Sequence, residues 1–196
     1  PDPVPRSEAR RALGVPPQAR LVAYVGRIRP YKNVGRLLRA FRGWDDDTAR
    51  LLVAGNPVSA TLRDEIRGGA AGDDRIRTDL RFIEPEELTT VLGAADLVVL
   101  PYGHILQSGT ALLALSFDRP VLVPSRGAMG ELQAEVGAAW VRTYEGTLTA
   151  NTLAAAMEWA NAAHRPARAP LGDRAWPRLA RQTEQLYHRV RRRAHA

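Results

Sequence analysis

The sequence predicts an α/β protein: a Rossmann-like, doubly wound, mostly parallel six-stranded sheet with helices on both faces. Apolar runs and helical-period segments alternate about six times along the chain. The apolar runs are continuous rather than alternating with polar residues, so both faces of each strand are covered, as in a parallel sheet. The runs are also bounded by turn residues, as at Gly55-Asn56-Pro57.

The elements follow in order. Pro1-Asp2-Pro3-Val4-Pro5 cannot start a helix, so residues 1–19 are expected to hold a linker and a lead-in helix. Residues 20–28 read as a buried strand. Residues 33–44 place Val34, Leu37, Leu38 and Phe41 at helical spacing. Residues 49–57 form a second strand with its turn, and 59–69 a polar helix capped by Ser59. Residues 76–84 are a weaker strand. Residues 84–95 form a helix with Pro85 near its start and acids in its first turn, which suit the helix dipole. Then come strand 96–102, helix 108–117, strand 119–125, helix 130–137 and strand 138–144. Helices 149–164 and 173–193 close the chain, joined by the proline-bearing loop 165–172. Residues 20–172 are read as one domain and 173–196 as a separate C-terminal helix. Trp44, Trp140, Trp159 and Trp176 fall in helices or strands and read as packing residues.

The 196 residues are enough for a sizeable core, and 45% hydrophobic with 25% charged residues is ordinary for a globular domain. The chain has no cysteine, which excludes disulfides and thiol chemistry. No apolar stretch approaches the roughly 18 residues of a membrane span. The net charge of +7 favours phosphates, nucleic acid or anionic lipid. Part of it is the tail "HRVRRRAHA", which reads as a solvated end or as a membrane-surface contact. Nucleic acid is not expected as a partner, because no aromatic interleaving or known motif accompanies the charge.

Ligands of an open α/β sheet sit beyond the carboxyl ends of its strands. Two loops there share a chemical theme. Gly26, Arg27 and Lys32 follow the first strand, and bring two cations within six residues. Ser108-Gly109-Thr110 follows the fourth and opens an apolar helix. A helix N-terminus offers unpaired amides and partial positive charge, and glycine lets a ligand approach the backbone. Together they suit a diphosphate. Each also has a plain reading: Ser-Gly-Thr as an N-cap, Arg27 and Lys32 as solvated charges.

His104 alone of the four histidines falls on the ligand side, as a donor contact or a solvated loop residue; no metal-ligand spacing occurs. Asp45-Asp46-Asp47 lies at the opposite end of the sheet and reads as a solvated turn. Walker A, GxGxxG and G-x-S-x-G strings are absent.

The ordered set of segments resembles a known family. "YVGRIRPYKNVGRLLRAF" is similar to the "vGRl…K…" opening of the C-terminal domain of GT-B fold, family 4 type (group 1) glycosyltransferases. "LLVAGNP", "LRFIEPEELTTVLGAADLVVLPY" and "RPVLVPSRGAMGEL" resemble its later segments, the middle one matching "v-x-F-x-G…eEL…l…ADl-x-v-lPS". "RAWPRLARQTEQLYHRV" resembles its closing helix. The resemblance covers nearly the whole chain.

It implies one lobe of a GT-B fold, binding a UDP- or GDP-sugar as donor substrate with no further cofactor; no acidic pair falls on the ligand side, so no metal is expected. Gly26, Arg27 and Lys32 would hold the donor diphosphate, with Arg27 and Lys32 stabilising the leaving group. The backbone of Arg81, Phe82 and Ile83 would border the base; Ser108, Gly109 and Thr110 would meet phosphates and sugar. The family keeps two glutamates where this chain has Ile105 and Leu113, which marks it as divergent; Glu131 matches only a later, separate glutamate. The resemblance further implies a C-terminal fragment, inactive alone, whose partner is an acceptor lobe of the same protein towards which helix 173–193 would pack. The expected location is the cytoplasm, with the inner membrane face as a peripheral site. A GT-B epimerase, a receiver-like regulatory domain or another phosphate-binding domain are the alternatives.

Overall fold

A computed structural model describes residues 4–104, 108–162 and 164–172. Six strands form one sheet: β1 (Arg20–Val25), β2 (Ala49–Ala54), β3 (Ile76–Asp79), β4 (Leu97–Val99), β5 (Val121–Pro124) and β6 (Val141–Tyr144). Their order is β3-β2-β1-β4-β5-β6, and each neighbouring pair is parallel. This is the doubly wound arrangement. Its direction reverses between β1 and β4, which opens a crevice beyond their carboxyl ends.

Among the described residues, seven helices cover the sheet: α1 (Arg6–Leu13), α2 (Val34–Arg42), α3 (Ala60–Ala70), α4 (Pro85–Ala94), α5 (Gly109–Ser116), α6 (Met129–Val136) and α7 (Ala150–Ala162). α2 packs against α3 and α7, while α1 packs against α4. Right-handed crossovers in the two opposed halves put α5 and α6 on the face opposite α2 and α3. The core is the sandwiched layer of Val22, Tyr24, Leu51, Val53, Val98 and Val123, each at most 1% exposed. The expected helix 173–193, with Trp176, lies outside the described residues, as does Ile105.

The strands are shorter than the apolar runs suggest, for identifiable reasons. Residues 20–28 read as one long strand, but Gly26 (φ 111°) breaks the ladder after Val25, while Gly55 (φ 155°) opens the turn expected after the second strand. A Cβ on Gly55 would fall 2.0 Å from the Gly26 carbonyl oxygen, so two backbones touch where the chain turns outward. Pairing resumes as a single bridge between Ile28 and Pro57, with Ile28 N–H donating to Asn56 O and Val58 N–H to Ile28 O. Residues 138–140 belong to a turn, since Trp140 and Val141 N–H both donate to Gly137 O. Trp44 lies past the end of α2, buried edge-on against Phe41. Pro30–Lys32, within a strand-to-helix loop of the sequence, forms a 3₁₀ turn closed by Asn33 at φ 51°.

Candidate functional site

The crevice between β1 and β4 brings the two cationic and glycine-bearing loops together. On one side, β1 ends in Gly26 and the chain passes Arg27 into the 3₁₀ turn that carries Lys32. On the other, Ser108 caps α5: its Oγ accepts from Ala111 N–H at 3.0 Å. The cap leaves the first-turn amides of Gly109 and Thr110 without intrahelical acceptors, directed out of the helix start. Gly26 sits where the sides meet. A Cβ on it would lie 3.4 Å from Thr110 Oγ1 and 3.8 Å from Lys32 Nζ. A lysine ammonium, a threonine hydroxyl and a helix N-terminus therefore converge around one glycine, the arrangement that holds an anion.

The electrostatics support that use. Lys32 is half-buried, and burial first and Arg29 second lower its pKa below the ordinary lysine value. Such a cation gains most when an anion arrives to replace lost hydration. Arg27, Arg29, Arg36 and Arg126 stand at the same end of the sheet, and among the described residues none of them makes an ion pair. Arg126 reaches across to donate to Gly103 O at 3.1 Å. Burial pushes Tyr144 up to about 12, with Arg36 and Arg126 pulling the other way.

The remaining expected site residues are placed differently. Arg27 is exposed at the crevice rim, and its carbonyl accepts from the Tyr24 hydroxyl. His104 is exposed beside Gly103. Arg81 turns its side chain to Glu87 and Asp79 at 2.6 and 3.0 Å, which commits the guanidinium to ion pairs. Phe82 is 65% exposed, Ile83 partly buried against the core. Leu113, at one of the expected glutamate positions, is partly buried against the core. Asp46 accepts from Thr48 N–H and Oγ–H and pairs with Arg20, which makes residues 45–47 a turn at the far end of the sheet.

The sequence reading missed Tyr102. It is 4% exposed, its ring lies 5.1 Å from Lys32 Nζ, and it meets Tyr31 edge-on at 6.4 Å. The signal was a bulky aromatic directly after Pro101, at the tip of β4. It also missed the backbone lock at Gly103, whose N–H donates to Tyr31 O at 2.7 Å. A Cβ there would lie 2.8 Å from Asn33 Nδ2.

Among the described residues no three His, Cys, Asp or Glu side chains gather as a metal site would require, and no helix is long and apolar enough to cross a membrane.

Comparison with known proteins places this geometry in context. The family of glycosyl transferases group 1 matches residues 19–161. A GDP-mannose:glycolipid 4-beta-D-mannosyltransferase of Xanthomonas campestris pv. campestris is 38% identical over 167 residues, covering 85% of this chain and 47% of the relative. The chain thus spans about half the length of the curated relatives it matches. Among solved structures, sucrose-phosphate synthase from Thermosynechococcus elongatus superposes with a TM-score of 0.67 at 22% identity, covering 96% of this chain and 49% of that one. The Anabaena protein HepE, solved with UDP-glucose, superposes with a TM-score of 0.62 at 18% identity, covering 80% and 42%. At these identities the two structural matches speak for a shared fold.

Proposed function

Because the chain belongs to the group 1 glycosyl transferases, we propose that it is the donor-binding lobe of an enzyme that moves a sugar from a nucleoside-diphosphate sugar to a glycolipid. The observation that carries this is the meeting of Lys32, Thr110 and the start of α5 around Gly26. The mannosyltransferase relative, which matches 85% of the chain, supports GDP-mannose as the donor.

The chemistry follows from the charges. As the glycosidic C1–O bond of the donor breaks, its electron pair goes to the diphosphate oxygen. Lys32, Arg27 and the amides of Gly109 and Thr110 stabilise that growing charge without reorganising. The reaction is proposed to run on these cationic and amide donors without a metal. Turnover of the full-length enzyme in excess chelator is the check; loss restored by magnesium overturns this point. The acceptor and the base that activates it are assigned to a second lobe that faces this crevice. The net charge of +7 supports a peripheral seat on an anionic cytoplasmic membrane face. Co-sedimentation with phosphatidylglycerol but not phosphatidylcholine vesicles is the expected result there.

Calorimetry with GDP, UDP, GMP and guanosine tests the reading. GDP should bind at least about tenfold more tightly than GMP, as a charge-assisted diphosphate contact requires. Equal affinity for GDP and guanosine overturns it. A preference for UDP over GDP corrects the donor and leaves the diphosphate site standing.

A further inference from the structure

Tyr102 touches both halves of the phosphate crevice. Its backbone is held on either side: Tyr102 N–H donates to Leu100 O at 2.9 Å and Gly103 N–H to Tyr31 O at 2.7 Å. Its ring is wedged under Lys32 Nζ at 5.1 Å and edge-on to Tyr31. Its hydroxyl is fully buried and closes no hydrogen bond of good geometry, with Ser108 and Thr110 as its polar neighbours. The run that this segment resembles ends in Pro-Ser; here it ends in Pro101-Tyr102.

A buried hydroxyl left without a partner is costly and calls for a reason. Thr110 supplies one. Its Oγ1 stands 3.4 Å from the place of a Cβ on Gly26, facing the crevice. If the Thr110 O–H turns to donate to a phosphate oxygen, its lone pairs face away from the phosphate and can accept. The Tyr102 O–H is the buried donor beside them. Hydrogen bonds in such a chain polarise one another.

We propose that Tyr102 is a positioning residue for the donor diphosphate: its ring holds the Lys32 ammonium in the crevice, and its hydroxyl orients the Thr110 hydroxyl towards a phosphate oxygen once the donor is bound. The proposal rests on the diphosphate reading of the site. It explains both the orphaned hydroxyl and the half-buried lysine, which a packing role for Tyr102 leaves as two unrelated costs. It also gives one side chain contact with both elements that grip the ligand, so that Lys32 and Thr110 are set relative to each other before the donor arrives.

Calorimetry of the chain with GDP, UDP and guanosine, paired with thermal melts without ligand, provides the test. Tyr102→Phe keeps the ring and removes the hydroxyl. It is expected to melt at or above the parent temperature, since an unpaired buried group is gone, yet to bind the preferred diphosphate roughly threefold to tenfold more weakly, the size of one lost hydrogen bond. Thr110→Val should weaken binding similarly, and the double variant should bind no worse than Thr110→Val alone, because the hydroxyl of Tyr102 acts through Thr110. Tyr102→Ala also removes the ring. It should lose at least about tenfold in diphosphate affinity with guanosine affinity unchanged, as expected when a desolvated cation–π partner is deleted. With Lys32 then hydrated, the alkaline limb of diphosphate binding should move to higher pH. Unchanged affinity in Tyr102→Phe, or additive losses in the double variant, overturns the proposal. Lys32→Ala is the separate control: unchanged diphosphate affinity there overturns the diphosphate reading and this proposal with it, while weakened binding there beside parental binding in Tyr102→Phe overturns this proposal alone.

Discussion

The two ends of the sheet handle charge in opposite ways. At the amino end, arginines are paired and hydrogen-bonded. Arg10, 2% exposed, donates to the carbonyls of Ala94, Pro16, Pro17 and Ala19 and pairs with Asp96 at 2.5 Å. Asp96 also holds Arg6 and the Leu21 N–H. Arg20 pairs with Asp46 and Glu158, and Arg75 with Asp73. At the carboxyl end, Arg27, Arg29, Lys32, Arg36 and Arg126 make no ion pair among the described residues. The same residue type is structural at one end and open to a ligand at the other. The distinction lies in the carboxylates and carbonyls around each arginine rather than in the arginine itself.

The comparison breaks most sharply if Arg10 is removed. Arg10→Ala leaves Asp96 half-paired and takes a donor from four carbonyls, of which Pro16 O keeps the Ala19 N–H. Breaking a buried pair on one side costs about 3–5 kcal/mol, which urea denaturation should register in full. Nucleotide affinity of the folded fraction should not change. A loss of GDP affinity at unchanged stability would reverse the roles assigned to the two ends.

Lys32→Met should do the opposite. Losing a charge-assisted phosphate contact costs about 1.5–3 kcal/mol of binding, read by calorimetry as at least tenfold in Kd. The ligand-free chain should at the same time become slightly more stable at neutral pH. Burial and Arg29 lower the folded pKa of Lys32, so the charged form is disfavoured in the fold. That cost is fully present below the folded pKa and is relieved as pH rises towards the unfolded value. A Lys32→Met chain that melts lower than the parent would contradict this.

The pH dependence of binding sharpens the same point with a smaller effect. On the proposed diphosphate reading, GDP binding uses the Lys32 ammonium, so affinity should fall as pH rises through a pKa below the ordinary lysine range. Calorimetry across the alkaline range should show this limb in the parent and lose it in Lys32→Met. A limb that persists in the variant assigns the titration to another group.

Much of this contrast was legible in the sequence. Continuous apolar strands gave the parallel sheet, and the rule that ligands sit at carboxyl strand ends picked out Lys32 and Thr110. The end of the second strand was legible in the turn Gly55-Asn56-Pro57, but that of the first was not, because Gly26 interrupts an apolar run through backbone geometry that hydrophobicity does not encode. Tyr102 was missed for a related reason. An aromatic at the end of a buried strand looks like core, and only three dimensions bring it under Lys32 and beside Thr110. The pairing of Arg10 with Asp96 spans 86 residues, and no local pattern announces it.

Arg81 is the exception at the carboxyl end, and it gives the mildest test. It stands beside the expected base-binding backbone, yet its guanidinium is committed to Glu87 and Asp79. Glu87 is engaged twice over, since it also accepts from the Glu84 N–H in the capping box that opens α4. The pairs are solvent-exposed, where ion pairs contribute little. Arg81→Ala should therefore leave both the melting temperature and the guanosine affinity at parental values, because the backbone proposed to border the base is fixed by the α4 cap and not by the guanidinium. Glu87→Ala removes that cap contact as well and should lower the melting temperature measurably. If Arg81→Ala instead weakens guanosine and GDP alike, the guanidinium leaves its carboxylates to meet the base, and a paired arginine at this end of the sheet is a ligand group held in reserve.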